Sequence, residues 1–118
     1  GMVNKDKYSS LSECVRNSVI YLQKNFRQPV TLKEVAAAVH VNPSYLSRTF
    51  KKEVGISFSE YLTKLRLENA KHYLETSEEN IKCISFESGF KNPSYFHTVF
   101  KKNIGISPTS FRNIMYDK

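Results

Sequence analysis

An internal repeat restricts the folds that this chain can adopt. Residues 42–57 read NPSYLSRTFKKEVGIS, and residues 92–107 read NPSYFHTVFKKNIGIS. Ten of these sixteen positions are identical at an offset of 50 residues, whereas the segments before the two blocks match at an offset of 49. The second unit therefore has one extra residue, near residues 89–91. Two copies are too few for a solenoid, so the repeat predicts two related lobes in tandem.

Signals for the start and end of helices recur in both units. Asn-Pro begins each repeated block, and it places a good N-cap before a proline at the first helical position. Gly55 and Gly105 follow the Phe-Lys-Lys turns and suit left-handed C-caps. Ser10, Thr31 and Ser57 each precede a glutamate by three residues, which predicts capping boxes. No segment alternates as a strand does, and the helices are predicted at residues 10–26, 32–39, 43–53, 58–75, 81–88, 93–103 and 108–115.

These elements predict an all-α fold of two helix-turn-helix lobes joined by a long central helix. Each lobe is expected to be a three-helical unit of the homeodomain-like kind. The predicted organisation is a scar of tag removal with a flexible N-terminus at 1–8, a first lobe at 9–57, a linker helix at 58–75, a second lobe at 76–115 and a tail at 116–118.

The charge balance narrows the classes of partner. Lys and Arg number 18 and Asp and Glu 11, a formal net charge of +7. This favours nucleic acid or an anionic membrane surface without deciding between them. No apolar run approaches the roughly 18 residues of a membrane helix. Cys14 and Cys83 form no CxxC pair, so we expect reduced thiols and no zinc site.

The second helix of each unit has the pattern of a DNA-reading helix. Leu46 and Phe50 in one, and Phe96 and Phe100 in the other, form an inward apolar stripe at a spacing of four residues. Small or hydrogen-bonding side chains then face outward near the helix start, where they can approach base edges. The candidates for base contact are Ser44, Ser47, Arg48, Ser94, His97 and Thr98. The candidates for phosphate contact are Thr31, Lys51, Lys52, Lys101 and Lys102. Arg48 is the best candidate for bidentate contact with a guanine.

Other interpretations of the same residues stay open. Lys-Lys pairs are commonly a solvated helix face, and basic helices also dock acidic proteins. Tyr45 and Tyr95 are expected to pack or to make structural hydrogen bonds rather than read bases. RNA binding is disfavoured because no exposed aromatic platform is visible. The chain has no paired-carboxylate, Ser-His-Asp, metal or phosphate-loop constellation, so we expect no catalytic residues, no metal, no cofactor and no enzyme.

Residues 88–112 carry a long spaced pattern. Ser-Gly-Phe-Lys-Asn-Pro-Ser-Tyr-Phe at 88–96 is followed by Phe100-Lys101-Lys102, and then by Gly105 and Arg112. This pattern resembles the AraC/XylS family of transcription regulators, and the likeness covers about residues 15–112. The resemblance implies a seven-helix module whose third and sixth helices read DNA, and it implies the same six base-contact residues.

Two positions depart from that family's pattern. Thr98 stands where many relatives carry arginine, so readout by the second lobe is expected to be weaker, methyl-directed or mainly positional. His40 replaces the glycine expected in the first turn, which predicts strain or a changed conformation there.

The resemblance also implies partners. The family module usually ends a larger protein whose other domain senses a ligand or is phosphorylated, and here regulators of the two-component or sugar-responsive type look most similar. We expect double-stranded DNA as partner, at an asymmetric promoter site of about two helical turns. We also expect recruitment of RNA polymerase, with activation as the usual outcome in this family, while the chemistry equally permits repression. No membrane contact and a cytoplasmic, nucleoid-associated bacterial location are expected with it.

Overall fold

The computed structural model describes residues 11–116, and within that range the chain is helical without strands. The helices are α1 (Glu13–Asn25), α2 (Leu32–Ala38), α3 (Pro43–Val54), α4 (Phe58–Thr76), α5 (Ile81–Glu87), α6 (Pro93–Ile104) and α7 (Pro108–Tyr116). The all-α prediction is confirmed, and six of these helices begin at the predicted residue. The expected flexible N-terminus at residues 1–8, and residues 117–118 of the expected tail, lie outside the described residues.

The predicted start of α1 is wrong by three residues. The helix begins at Glu13 after Ser12, whose side chain caps no amide. Instead, the Ser12 N–H donates to Glu53 Oε1 over 2.6 Å, so the entry into α1 is fixed by a residue of α3. Ser10, the predicted capping residue, lies outside the described residues. A contact between residues 41 positions apart leaves no local pattern from which it could be read.

The other helix starts follow the capping residues in the sequence. Asn42 Oδ1 accepts from the Ser44 and Tyr45 N–H groups at 2.8 and 3.4 Å, ahead of Pro43 at the first position of α3. Asn92 accepts from the Tyr95 N–H at 2.7 Å at the corresponding place in α6. Each bond satisfies an amide that the helix itself leaves without a partner.

Glycine ends both of the helices that carry the repeated block. Gly55 and Gly105 have φ of +96° and +97°, and their N–H groups donate to the carbonyls of Lys51 and Lys101 at 2.9 and 2.8 Å. This left-handed conformation is open to glycine without the Cβ penalty of other residues. The two helices therefore end with the same geometry.

The turns before α3 and α6 share one hydrogen-bond pattern. His40 and Val41 donate to the carbonyls of Ala37 and Ala36, and the equivalent Gly89 and Phe90 donate to those of Phe86 and Ser85. Because this register holds through Phe90 and resumes at the Asn92 cap, the extra residue of the second unit is Lys91. His40 has φ of +62°, so the histidine adopts the left-handed conformation that the equivalent Gly89 has, with φ of +98°.

The chain divides into two compact units between Thr63 and Lys64, within α4. We call residues up to Thr63 the first lobe and residues from Lys64 the second lobe. In the first lobe, Phe50 is fully buried and makes edge-to-face contacts with Phe58 and Tyr61, at centroid distances of 5.8 and 5.6 Å. The other fully or nearly buried apolar residues of this lobe are Val15, Val19, Leu22, Val35, Ala36, Leu46 and Leu62.

An aromatic chain runs through the core of the second lobe. Phe96 lies 4.9 Å from Phe90 and 5.6 Å from Phe100, and Phe100 lies 5.5 Å from Phe111. Leu67, Ala70, Leu74 and Ile84 complete this cluster. The core consequently fixes the rotation of α6 about its own axis, because two of its residues, one turn apart, are wholly buried.

Arg112 links α7 to the segment between α4 and α5. Its guanidinium donates to the carbonyl oxygens of Leu74, Ser77 and Glu79 at 3.4, 3.0 and 2.6 Å. One planar cation thus satisfies carbonyls at and after the end of α4, and the Ser77 carbonyl also accepts from the Tyr116 hydroxyl. Within residues 11–116, no helix combines the length and apolar character needed to cross a membrane.

Candidate nucleic-acid interface

The buried stripe of α3 determines which of its residues face solvent. Leu46 and Phe50 are fully buried, whereas the base-contact candidates Ser44, Ser47 and Arg48 are all exposed. Since residues three and four apart share a helix face, Ser44, Ser47 and Arg48 occupy adjacent turns of one surface. Lys51 and Lys52 continue that surface toward the helix end and are also exposed.

The same arrangement recurs in α6. Phe96 and Phe100 are buried, and the candidates Ser94, His97, Thr98, Lys101 and Lys102 are all exposed. In both helices small or hydrogen-bonding side chains come first and lysines follow in the last turn. A surface of this kind can approach base edges at one end and neutralise phosphates at the other.

One side-chain contact distinguishes the two surfaces. Thr98 Oγ1 donates to the Ser94 carbonyl over 3.1 Å, so its hydroxyl proton is used within α6. The threonine methyl group and the acceptor capacity of its oxygen remain for a ligand. Arg48, one repeat earlier, presents a guanidinium with a planar fork of donors instead. Equivalent positions of the two lobes therefore carry different groups: a guanidinium in the first, and a methyl group with a hydroxyl oxygen in the second.

Acidic residues are nearly absent from these two helices. The sequence of α6 contains none, and that of α3 contains only Glu53, whose carboxylate accepts the Ser12 N–H. The four lysines of the two helix ends are thus not offset by outward carboxylates on the same helices. Such a surface attracts polyanions at long range and loses that attraction as salt rises.

Thr31 lies apart from the other phosphate candidates, at the start of α2. Its hydroxyl oxygen accepts from the Glu34 N–H at 3.1 Å, which makes it the cap of that helix. The residue is exposed, and its hydroxyl proton remains available to an external acceptor. A capping threonine can therefore also contact phosphate.

Tyr45 and Tyr95, for which packing or structural hydrogen bonds are predicted, keep about half of their surface exposed. They retain 47% and 54% exposure, respectively, on the first turns of α3 and α6. The Tyr95 ring also contacts Phe90 at a centroid distance of 6.2 Å. In the second lobe, Arg66, Phe90, Lys91, Asn92 and Tyr95 line a surface depression. The sequence pattern did not predict this depression. The extra residue of the second unit, Lys91, is the sequence feature that lies in it.

A family model described as a helix-turn-helix domain matches residues 35–114, more than half of the chain. The C-terminal domain of AraT, a response regulator from Geobacillus stearothermophilus, is 43% identical, with a TM-score of 0.86 over 89% of this chain and 88% of that one. The chain belongs to the AraC-type helix-turn-helix family. It is a DNA-binding domain of that type, as the family resemblance implied.

Two further comparisons are with a longer transcription activator and with a domain solved on DNA. The lactose operon transcription activator of Staphylococcus xylosus is 32% identical over 81 residues, which are 69% of this chain and 29% of that protein. The DNA-binding domain of AdpA, solved in complex with a target DNA, is 21% identical with a TM-score of 0.82, over 87% of this chain and 93% of that one. At that identity the likeness shows the fold alone. The chain spans 11% to 49% of the length of eight curated regulators that it matches.

Proposed function

We propose that this AraC-type domain recognises an asymmetric promoter site of about two helical turns. Helices α3 and α6 enter successive major-groove segments, whose spacing along the duplex is about 34 Å. One observation carries the proposal. Each lobe buries an equivalent stripe and so turns an equivalent polar-then-basic surface outward. A helix with that order of side chains can meet base edges and backbone phosphates together.

In the first lobe Ser44, Ser47 and Arg48 contact bases. The Arg48 guanidinium donates two parallel hydrogen bonds to O6 and N7 of one guanine, a pairing worth about 1–3 kcal/mol of discrimination. The two serines flank it with short hydroxyls, which can pair with several base edges and allow close approach of the helix. Arg48 therefore supplies most of the sequence preference of this lobe.

The second lobe reads bases with Ser94, His97 and Thr98. Because the Thr98 hydroxyl donates within the helix, its methyl group is left to contact a thymine methyl. A methyl contact discriminates less than a bidentate guanidinium pair. The second lobe therefore adds to the affinity and fixes the position of the domain on DNA more than it discriminates between bases. The two halves of the binding site consequently differ in how strictly their sequence is read.

Phosphate contacts come from the exposed cations at the helix ends. Their members are Lys51, Lys52, Lys101 and Lys102, with the Thr31 hydroxyl as a neutral donor. Each cation that neutralises a phosphate releases counterions, so each makes binding more sensitive to salt. These contacts hold both helices on the duplex without reading its sequence.

In the complete protein this domain works with partners outside the chain. We propose a sensor or receiver domain, recruitment of RNA polymerase, and activation as the usual outcome, in the cytoplasm at the nucleoid. Similarity to the C-terminal domain of a response regulator and to a sugar operon activator supports this assignment.

Selection of duplexes from a random pool tests the central proposal, with wild type and two Arg48 variants run in parallel. Wild type should enrich a site with a strong block for the first lobe and a weaker one for the second. Arg48→Ala should weaken that site by about 1–3 kcal/mol and relax preference at one position. Arg48→Lys keeps the charge but loses the bidentate fork, so it should retain affinity better than preference. An unchanged preference in both variants would remove Arg48 from base reading, and no enrichment by wild type would refute sequence-specific binding.

A further inference from the structure

Three polar residues are fully buried within residues 11–116, and one of them differs from the others in its hydrogen-bond partner. The hydroxyls of Ser18 and Ser85 donate to carbonyls of their own helices, at 2.8 and 2.7 Å. The Ser88 hydroxyl oxygen instead accepts from the Asn69 Nδ2 group of α4 over 3.1 Å. This bond joins residues 19 positions apart, so the Ser88 side chain links two different elements of the second lobe.

The turn that contains Ser88 does not require its hydroxyl. Val39 holds the equivalent place in the first lobe, and the N–H of each residue donates to the carbonyl four positions back, at 3.0 Å in both cases. A valine side chain neither donates nor accepts a hydrogen bond, yet the backbone pattern of the turn is the same. Burial of a hydroxyl costs free energy unless a partner compensates for it. The bond to Asn69, rather than the local fold, therefore accounts for a serine at this position.

Asn69 is also an unfavourable choice for its own helix. It lies well inside α4 and is half-buried, beside the buried Ala70. Asparagine is disfavoured in helix interiors because its side chain competes for backbone hydrogen bonds. The apolar contacts of this part of α4 come from Leu67, Ala70 and Leu74, which belong to the core of the second lobe. Asn69 lies at the margin of that stripe, where its amide reaches the turn before α6.

A short and well-bonded path connects Ser88 to α6. Gly89 and Phe90 close the turn, and their N–H groups donate to carbonyls of α5 at 3.1 and 3.0 Å. Phe90 is 4% exposed, and its ring centroid lies 4.9 Å from that of Phe96 in α6. A displacement of Ser88 relative to α4 would therefore also displace Phe90 and the helix that packs on it. That helix carries the candidates for base contact in this lobe.

Apolar packing and the Asn69–Ser88 bond restrict α6 in different ways. Contacts between buried rings are not directional, so they tolerate small rotations and translations of a helix. A hydrogen bond weakens steeply when its angle departs from the optimum. A buried polar pair whose bond is made therefore selects one arrangement among several that pack about equally well. The equivalent turn of the first lobe has no such bond from the side chain of Val39.

We propose that Asn69 is a positioning residue for DNA recognition by the second lobe. Through the Ser88 hydroxyl it holds the turn before α6 on α4, and it thereby fixes the orientation in which α6 meets the major groove. This inference rests on the proposed function. It accounts for a second lobe that makes weaker base contacts and still keeps one position on the duplex.

A double-mutant cycle on the affinity for the selected duplex tests this role. Ser88→Ala and Asn69→Ala should each weaken binding about three- to fivefold, because the loss of one neutral hydrogen bond frees a helix that DNA must order again. The double variant should lose about threefold less than the product of the two single losses, since both changes remove the same bond. A shorter duplex with only the first lobe's half-site should bind every variant within about twofold of wild type.

Ser85→Ala is the matched control. It removes an equally buried hydroxyl from the second lobe, but one whose bond stays within α5. It should lower hydrogen-exchange protection of this lobe comparably to Ser88→Ala and leave the affinity for DNA unchanged. Residual dipolar couplings of the free protein give a second measurement. In Ser88→Ala the amides of α6 should no longer fit their wild-type orientation relative to residues 64–76 of α4, whereas in Ser85→Ala they should.

Two results would overturn the proposal. If the cycle shows no coupling between Asn69 and Ser88 in affinity, the pair does not act together in recognition. If Ser85→Ala and Ser88→Ala weaken both stability and affinity alike, the Ser88 hydroxyl only stabilises the lobe. Either result leaves selection of a duplex by wild type intact. Failure of wild type to select any duplex would instead refute the proposed function, and this inference with it.

Discussion

Replacement of Arg112 by alanine should destabilise the second lobe selectively. Its guanidinium donates to three carbonyl oxygens, all between residues 74 and 79. The bond to Ser77 is short and partly buried, that to Leu74 is long at 3.4 Å, and that to Glu79 is short but exposed. A bond from a charged donor contributes about 1.5–3 kcal/mol, and solvent reduces the exposed one, so the expected loss is about 2–4 kcal/mol.

That loss is large for a unit of this size. A lobe spanning residues 64–118 is expected to have a free energy of unfolding of about 3–8 kcal/mol. Native-state hydrogen exchange followed by NMR measures the effect lobe by lobe. Amides of α5, α6 and α7 should lose protection roughly 30- to 700-fold, while the buried amides of α1 and α3 change much less.

Two variants make the Arg112 prediction specific. Arg112→Lys keeps the charge but cannot reach three carbonyls, so its loss should fall between wild type and alanine. Asn113→Ala changes an exposed neighbour on the same helix and should have little effect. If Arg112→Ala lowers protection in the second lobe less than about threefold, the three carbonyl bonds contribute little, and this account of the α4–α5 segment is wrong.

Three other predictions, with four substitutions, test the helix ends and the DNA surface. Gly55→Ala and Gly105→Ala should each lower the free energy of unfolding in urea by about 1–2 kcal/mol, because an added Cβ meets nothing within 4 Å and only backbone strain remains. Losses that differ between the two variants by more than about 1 kcal/mol would contradict this. Thr98→Arg should create a preference of about 1–3 kcal/mol for one guanine in the second half of the selected site, and an unchanged profile would show that α6 does not face bases there. Lys101→Ala should weaken all duplexes alike and reduce the salt slope by about 0.9, whereas a wild-type slope would make this lysine a solvated residue.

The elements that sequence predicted well are those with local causes. Asn42, Asn92, Gly55 and Gly105 act through bonds to residues two to four positions away, so their neighbours suffice to place the ends of α3 and α6. The buried stripes were equally local, because helical periodicity alone separates the inward Phe50 from outward residues. These two signals placed every candidate side chain of α3 and α6 on an exposed surface.

What sequence could not supply depends on residues distant along the chain. The start of α1 is fixed by Glu53, and the depression combines Arg66 with Lys91 and Tyr95. Neither arrangement has a periodic or capping signal. The back-bond of Thr98 is local, yet a threonine in a helix has more than one favoured side-chain rotamer, so its identity alone did not determine where the hydroxyl points.

The turn before α6 separates two properties of a DNA-reading lobe: the fold of its recognition helix and the position that the lobe takes on DNA. Its hydrogen bonds end at Phe90, and those of the helix begin at Asn92, so Lys91 lies between two closed units. An insertion or deletion at Lys91 alters neither the core nor the outward surface of α6. It does change which side chain lies beside the DNA at the start of that helix. Duplicated lobes can therefore differ in their position on DNA while their recognition helices keep the same fold. In a designed variant, a change at this single position of the turn could adjust the contacts with one half-site.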